Sequence, residues 1–244
     1  MISVIRSLGP VDSLSVRRDA MLRWMIFLPL VITAAVRLLL PLGVSRMDDW
    51  IPLNLETHYP LLMGALFLLV VPFLWGMLIG FLLLDQRDDG TLTALQITPL
   101  PMSHYLLYRL GAPAVLSAVT TMVLFPFAGL ATLRPLQLVL LALLSAPLAP
   151  LVALLLAAFA ENKVQGLAMS KASGLLMLPA LAAYFLPHPW RWLAAVAPTF
   201  WSAEAFWQAL ENGALFWPCV AGGLVYQLLL LVYLGRRFEG IMRR

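Results

Sequence analysis

The chain contains six stretches of about 20 predominantly apolar residues, and this feature limits its fold more than any other. A helix of roughly 20 such residues crosses the ~30 Å hydrocarbon layer of a bilayer, and within lipid the backbone must satisfy its own hydrogen bonds. The sequence therefore predicts an all-α integral membrane protein with six transmembrane helices. The predicted spans are about 21–42, 60–84, 105–130, 136–160, 164–186 and 215–234.

Composition supports this class and argues against several others. Of the 244 residues, 62% are hydrophobic and only 11% charged, and mean hydropathy is +0.90, so there is too little charge to cover a soluble domain. The single cysteine, Cys219, excludes disulfides and cysteine metal sites within the chain. His58, His104 and His188 lie far apart, so no metal site is predicted. The net charge of +4 is spread between apolar segments, which argues against nucleic acid as a partner.

The lysines and arginines predict the orientation of the spans. With the N-terminus inside the cell, twelve of them fall on the inner side and four on the outer side. This bias is typical of a multi-pass protein with both termini cytoplasmic. The charged first twenty residues show neither an apolar core nor a cleavage site, so we expect the first span to be retained. Residues 1–20 are predicted as a cytoplasmic or interfacial arm, and residues 21–244 as one six-span domain.

The arm contains one helix-forming stretch. Asp12 and Ser13 are good helix N-cap residues, and the leucine and methionine side chains that follow fall near one face, with arginines on either side. We expect a helix that begins after Pro10 and lies along the inner membrane surface. The alternative is an unstructured tail that leads into the first span.

The connection between the fifth and sixth spans, Pro187–Ala214, is rich in aromatic residues. It carries four tryptophans, which suit a membrane interface, but it is too short for two further crossings. We expect two short re-entrant or interfacial helices on the outer side, broken near Pro198. Asn212 and Gly213 are predicted to form the turn into the last span.

The most unusual segment is the first inside loop, Leu84–Tyr105. A short helix-prone stretch, Thr91–Ile97, lies within it and is stopped by proline. Leu92 and Leu95 share one face of that helix, which is too short to be stable alone. We expect it to dock into a groove of another protein; the alternative is a solvated loop. The charged residues that open the loop are Asp85, Arg87, Asp88 and Asp89.

This loop resembles the corresponding segment of ABC-2 type permease subunits, the membrane halves of many ATP-driven exporters. The resemblance rests on Asp85 closing the second span and on the run Gly90, Thr91, Leu92, Leu95, Thr98 and Pro99. Asp85 stands where many relatives have glutamate, so the carboxylate is kept. Further residues resemble the fluoroquinolone-export-type branch, namely Arg18, Asp19, Arg23, Trp24, Pro29, Leu30, Arg37, Pro41, the run 161–168 and Lys171.

The resemblance implies a specific mechanism and specific partners. It implies a type V exporter-like fold in the bacterial cytoplasmic (inner) membrane. It also implies that the segment is the coupling helix that binds a cytoplasmic ABC ATPase, with the residues Asp85, Arg87, Asp88, Asp89, Gly90, Thr91, Leu92, Leu95, Thr98 and Pro99. Because the chain has no phosphate-binding loop of its own, ATP and Mg would bind the ATPase and no cofactor would bind this chain. A second permease copy, or a homologous permease, would complete the pathway as a dimer. The implied activity is efflux, such as multidrug export, of a hydrophobic or amphipathic molecule (a drug, antibiotic or lipid-like compound).

Other readings of the sequence remain open. Arg37 and Lys171 are possible pathway or interface charges, although snorkelling to the membrane surface explains both. A secondary transporter is one alternative, but every carboxylate is expected at or outside a span end. An intramembrane enzyme is another, but the sequence shows no catalytic residue pattern. A non-transporting assembly protein is the remaining alternative.

Overall fold

The computed structural model describes residues 2–47, 55–90 and 102–242. Within those ranges the chain forms helices and no strands. Six helical stretches are long and apolar enough to cross a membrane, as predicted. They are Ala20–Leu42, Glu56–Asp88, Leu107–Ala128, Pro135–Phe159, Lys163–Phe185 and Phe216–Phe238.

The α-helices are numbered here in chain order. The first six are α1 (Ile2–Arg18), α2 (Ala20–Met47), α3 (Tyr59–Met63), α4 (Val71–Asp88), α5 (Met102–Ala128) and α6 (Pro135–Ser145). The others are α7 (Leu148–Phe159), α8 (Lys163–Gly174), α9 (Leu178–Phe185), α10 (Pro198–Glu211) and α11 (Phe216–Met242). Short 3-10 helices cover Leu55–His58, Leu175–Met177 and Trp190–Val196, and a π-helical segment covers Gly64–Val70.

The second and fourth spans form the centre of the bundle. In their most apolar windows 72% and 67% of residues are buried, against 22–33% in the other four spans. The most extensive helix pairing is between α4 and α7. Gly76 makes this approach possible, because a Cβ atom there would collide with the carbonyl of Ala149 and the side chain of Val152. The remaining spans surround this central pair.

The two ends of the bundle differ in composition. At one end, termed the Asp85 end, the last turn of α4 meets the start of α5, the junction of α1 with α2, and the connection from α7 to α8. At the opposite end, termed the Glu204 end, α10 lies buried against the π-helical segment, α6, α9 and α11. Phe206 of α10 packs edge-on against Phe125 of α5, which in turn packs against Phe67.

Three predicted boundaries prove wrong. Helix α4 continues past Leu84 to Asp88, so most of the charged run forms its last turn instead of a loop. Helix α1 begins at Ile2 and contains Pro10, instead of starting after it. Proline in a helix costs a backbone hydrogen bond, and here the contacts that Asp12 makes with α5 hold the helix in place. The last helix extends to Met242.

The predicted break in the Trp-rich connection is confirmed. A 3-10 helix ends at Val196 and α10 begins at Pro198. Asn212 ends α10 in the left-handed conformation with φ 51°, which asparagine tolerates better than most residues. This segment is therefore an ordered part of the bundle, built from two short helices.

Candidate functional site

Lys163 is the centre of a polar network at the Asp85 end. Its ammonium donates to Asp19 at 2.6 Å and to Asp85 at 2.9 Å. Its backbone N–H donates to the carboxylate of Asp88 at 3.1 Å. One residue at the start of α8 thus joins the α1–α2 junction to the last turn of α4.

Helix ends explain why these charges meet. The carboxylates on the last turn of α4 lie where the helix dipole disfavours negative charge. The N-terminus of α8 compensates, because the backbone N–H and the ammonium of Lys163 donate to them. Asn162 caps that N-terminus by accepting from the backbone N–H of Gln165 at 2.9 Å. Arg87 reaches across to the end of α7, where it donates to the carbonyls of Ala157 at 3.3 Å and Ala160 at 2.8 Å.

Asp19 forms hydrogen bonds with the first residues of two helices, α2 and α8. One carboxylate oxygen accepts from the backbone N–H groups of Met21 at 2.7 Å and Leu22 at 3.3 Å, so it caps the start of α2. The other oxygen accepts from Lys163. The hydrogen bond from Lys163 is the main reason that the pKa of Asp19 lies below its ordinary value, and the two backbone donors act in the same direction. Asp19 is therefore ionised at neutral pH.

A second cluster joins α1 to α5 and α4. Arg109 is only 1% exposed and forms a bidentate pair with Asp12, at 2.9 and 3.0 Å. The hydroxyl of Tyr108 donates to the same carboxylate at 2.9 Å. The hydroxyl of Tyr105 accepts from Arg109 at 3.3 Å and donates to Gln86 of α4 at 2.9 Å. Asp12 is thereby bound directly to α5 and, through Arg109 and Tyr105, indirectly to α4.

The predicted coupling residues fall into two groups. Asp85, Arg87 and Asp88 make the intramolecular contacts described above, so their side chains hold helices of this chain together. Asp89 and Gly90 form an exposed turn in which Gly90 has φ +68°, a conformation that favours glycine. The rest of the predicted motif lies outside the described residues: Thr91, Leu92, Leu95, Thr98 and Pro99.

The two predicted pathway charges lie away from this network. Arg37 is exposed and donates to the carbonyl of Phe127 at 2.6 Å, near the C-terminus of α5 at the Glu204 end. A cation there complements the helix dipole. Lys171 is exposed on α8. The structure brings neither residue into contact with Asp85, so neither belongs to this site.

One buried carboxylate was not predicted from the sequence. Glu204 is completely buried on α10, accepting from Arg191 at 3.2 Å and from Gln208 at 3.0 Å. Its second oxygen, Oε2, has no hydrogen-bond partner among the described residues. The Arg191 guanidinium also lies over the ring of Trp207, 5.9 Å from its centre. The available signal was Glu204 four residues before Gln208 in an aromatic helix, a spacing that puts both on one face.

Arg109 and Asp12 were also missed as a pair. Arg109 is one of the twelve positive charges assigned to the inner side, although it lies within the predicted third span, 105–130. A charge within an apolar helix normally faces the bundle interior and finds a partner there. The partner in this case is 97 residues away, so no local pattern indicated it.

Comparison with known proteins identifies the family. The family described as fluoroquinolones export permease protein Rv2686c-like matches residues 12–235. The chain belongs to this family. Its relatives include the fluoroquinolones export permease proteins Rv2686c of Mycobacterium tuberculosis (strain ATCC 25618 / H37Rv) and MT2760 of Mycobacterium tuberculosis (strain CDC 1551 / Oshkosh). Each is 35% identical over 240 residues, covering 96% of this chain and 94% of the relative. No solved structure matches.

Membership confirms the predicted branch. Together with the six apolar helices, it makes this chain a multi-pass membrane permease of an export family, a transport protein instead of an enzyme. The matched region includes Asp12, Asp19, Lys163 and Glu204, so all three polar clusters lie in the part of the chain that the family shares.

Proposed function

We propose that this permease is the membrane subunit of an ABC-2 type exporter with a type V exporter-like fold. It moves hydrophobic or amphipathic small molecules, fluoroquinolones among them, out across the bacterial cytoplasmic membrane. A separate cytoplasmic ABC ATPase binds ATP and Mg and supplies the energy. Two permease copies, or this chain and a homologous permease, form the pathway. Both termini and the Asp85 end face the cytoplasm, where α1 lies along the membrane surface, and the helices of the Trp-rich connection re-enter the membrane from outside.

The Asp85 end carries this proposal. The segment proposed to contact the ATPase, residues 91–97, follows directly after the turn at Asp89 and Gly90. Helix α4 is tied at that point to α1, α2, α5, α7 and α8 through Lys163, Arg87 and the Tyr105 cluster. A push on the segment therefore acts on most of the bundle at once, as a rigid-body switch between two states requires.

The proposed roles follow from these contacts. Leu92 and Leu95 dock into the ATPase, whereas Asp85, Arg87 and Asp88 pass the displacement to neighbouring helices. When ATP closes the ATPase dimer, the segment moves and the two six-helix bundles tilt. ATP thereby favours the outward-open state because it binds one state of the complex better than the other.

Co-purification tests the partnership. The full chain is purified in mild detergent, and bound subunits that carry a phosphate-binding loop are identified and quantified by mass spectrometry. We expect a stoichiometric ATPase, lost in the double variant Leu92→Ala with Leu95→Ala. The matched control is Leu193→Ala, which replaces a leucine 71% exposed at the opposite end. Purification without any ATPase, or equal loss in the control, would contradict the proposal.

A second candidate function is proton-coupled secondary transport, which Glu204 favours. A fully buried carboxylate with one unpaired oxygen among the described residues is the kind of group that proton-coupled transporters use. Drug efflux from cells separates the candidates. Under ATP-driven export, efflux persists when an uncoupler collapses the proton gradient and ATP is maintained, and stops when the phosphate-loop lysine of the partner ATPase is replaced. Efflux that stops with the uncoupler and persists in the ATPase variant would establish the secondary transporter. If the chain supports no drug efflux under any of these conditions, it is an assembly protein.

A further inference from the structure

A pocket of about 260 Å³ lies between the spans, and no residue of the three polar clusters lines it. It is bounded by the second, fourth, fifth and sixth spans and by the start of α10. Sites for drug-sized ligands are typically about 300–1,000 Å³. This pocket is thus large enough for part of such a molecule, such as a fused pair of aromatic rings, and too small for all of it.

The walls of the pocket are apolar, and none of the lining residues is charged. Leu151 and Leu230 contribute aliphatic surface, and Phe73 and Tyr226 contribute rings. A charged group placed here would lose its hydration without a partner, at a cost of several kcal/mol. The pocket therefore favours a neutral apolar portion of a ligand.

The wall contains few polar side chains, and two of their hydroxyls already form hydrogen bonds within the chain. The hydroxyl of Thr199 donates to the carbonyl of Leu176, and that of Tyr226 donates to the carbonyl of Val196, both at 2.5 Å. Because each of these two hydroxyls has only one hydrogen, neither can donate to a ligand, whereas the hydroxyl of Tyr233, which also lines the pocket, can donate or accept. Polar specificity is therefore limited, and binding depends mainly on apolar contact and shape.

The pocket opens at the side of the bundle. Val196 is 80% exposed and Tyr233 is 62% exposed, and both line the pocket. Because Tyr226 lies near the middle of the sixth span and Tyr233 lies closer to its C-terminal end, the opening faces the bilayer or a neighbouring permease at membrane depth. A ligand dissolved in the membrane can therefore enter sideways and leave its charged groups outside the pocket.

We infer that this pocket binds the fused-ring aromatic part of the export substrate, which enters from the bilayer. The inference rests on the proposed function for the identity of the ligand as export cargo. The pocket itself belongs to one chain, so binding requires neither the ATPase nor ATP. A phospholipid acyl chain shares the apolar chemistry and is the competing occupant.

Equilibrium binding of norfloxacin to the purified full chain in phospholipid nanodiscs tests the inference. Leu230→Trp fills the pocket, whereas Leu229→Trp adds the same side chain at the neighbouring position, which is 65% exposed and outside the lining. We expect Leu230→Trp to raise the Kd at least tenfold and Leu229→Trp to change it less than twofold. Leu176→Trp and its exposed neighbour Leu175→Trp form a second matched pair on another helix, in case the first variant does not fold.

The possible results distinguish failure of the pocket inference from failure of the proposed function. Saturable binding that both pocket-filling variants weaken supports the site, even if no ATPase co-purifies. Norfloxacin binding that is absent from the wild-type chain, or unchanged in folded pocket-filling variants, overturns it, even if ATP-driven export is demonstrated. Native mass spectrometry identifies the competing occupant: loss of a retained phospholipid from Leu230→Trp, with norfloxacin binding unchanged, would also overturn the inference.

Discussion

The two ends of the bundle use ion pairs differently. At the Asp85 end, Lys163 pairs with carboxylates 144 and 78 residues away in the chain, and all three side chains are 25–34% exposed. At the Glu204 end, Arg191 pairs with a carboxylate 13 residues away that is completely buried. Partly exposed pairs contribute about 0–1 kcal/mol each, whereas breaking a buried pair costs about 3–5 kcal/mol. The Lys163 network at the Asp85 end therefore connects many elements with contacts that can exchange, beside the more buried Arg109–Asp12 pair at the same end, whereas the Arg191–Glu204 pair stabilises one segment.

The largest effect is expected at the Glu204 end. Arg191→Ala leaves the buried Glu204 carboxylate without its cation, so we expect the free energy of unfolding to fall by about 3–5 kcal/mol. Thermal unfolding of the purified permease in detergent measures this. Glu211→Gln is the control, because Glu211 is exposed on the same helix. A loss below about 1 kcal/mol, the range of surface pairs, would show that the two ends do not differ.

Arg109 should give the next largest effect. Arg109→Ala removes the bidentate pair with Asp12, and breaking a buried ion pair costs about 3–5 kcal/mol. The Asp12 side chain is 14% exposed, so water can partly replace the lost partner and the cost should be smaller than for Arg191→Ala. Arg236→Ala, on an exposed face of α11, is the control in the same unfolding assay. If Arg109→Ala proved more destabilising than Arg191→Ala, the Arg109–Asp12 pair at the Asp85 end would contribute more to stability than the Arg191–Glu204 pair, contrary to this prediction.

The six membrane-spanning helices could be predicted from the sequence, but the side-chain contacts between the helix ends could not. Hydropathy predicts the six spans because lipid imposes length and apolarity on each one locally. The break at Pro198 and the turn at Asn212 were predictable because proline and asparagine act through their own backbone. The partners of Lys163 and Arg109 come from distant parts of the chain, so tertiary packing alone brings them together. The extension of α4 to Asp88 was missed because charged residues normally end a span, and the compensating N-terminus of α8 is a tertiary feature.

Lys163 tests whether the Asp85 end transmits movement. Lys163→Ala removes two partly exposed pairs, so we expect the free energy of unfolding to fall by only about 1 kcal/mol. We expect the export rate to fall nonetheless, because the α1–α2 junction is no longer tied to α4. Lys171→Ala removes an exposed lysine from the same helix and should leave both quantities unchanged. Drug efflux from cells, corrected for the amount of permease in the membrane, measures the effect. Normal efflux in Lys163→Ala would show that the network is structural only.

The smallest effect concerns the charge of Asp19. Its pKa is lowered in the folded chain, chiefly by the hydrogen bond from Lys163, so its ionised form stabilises the fold. That stability is fully present above the ordinary aspartate pKa of 3.8 and is lost as the pH falls through the lower folded value.

Asp19→Asn keeps an effective cap for α2 but removes the charge. We expect wild type to be more stable than Asp19→Asn at pH 7, by less than about 1 kcal/mol because the site is partly exposed. This difference in stability between wild type and Asp19→Asn should narrow only below about pH 4, where Asp19 of the unfolded chain begins to take up a proton. Unfolding measured from pH 7 to pH 3 tests this, and a difference that stays constant over that range would show that Lys163 does not act on Asp19 through its charge.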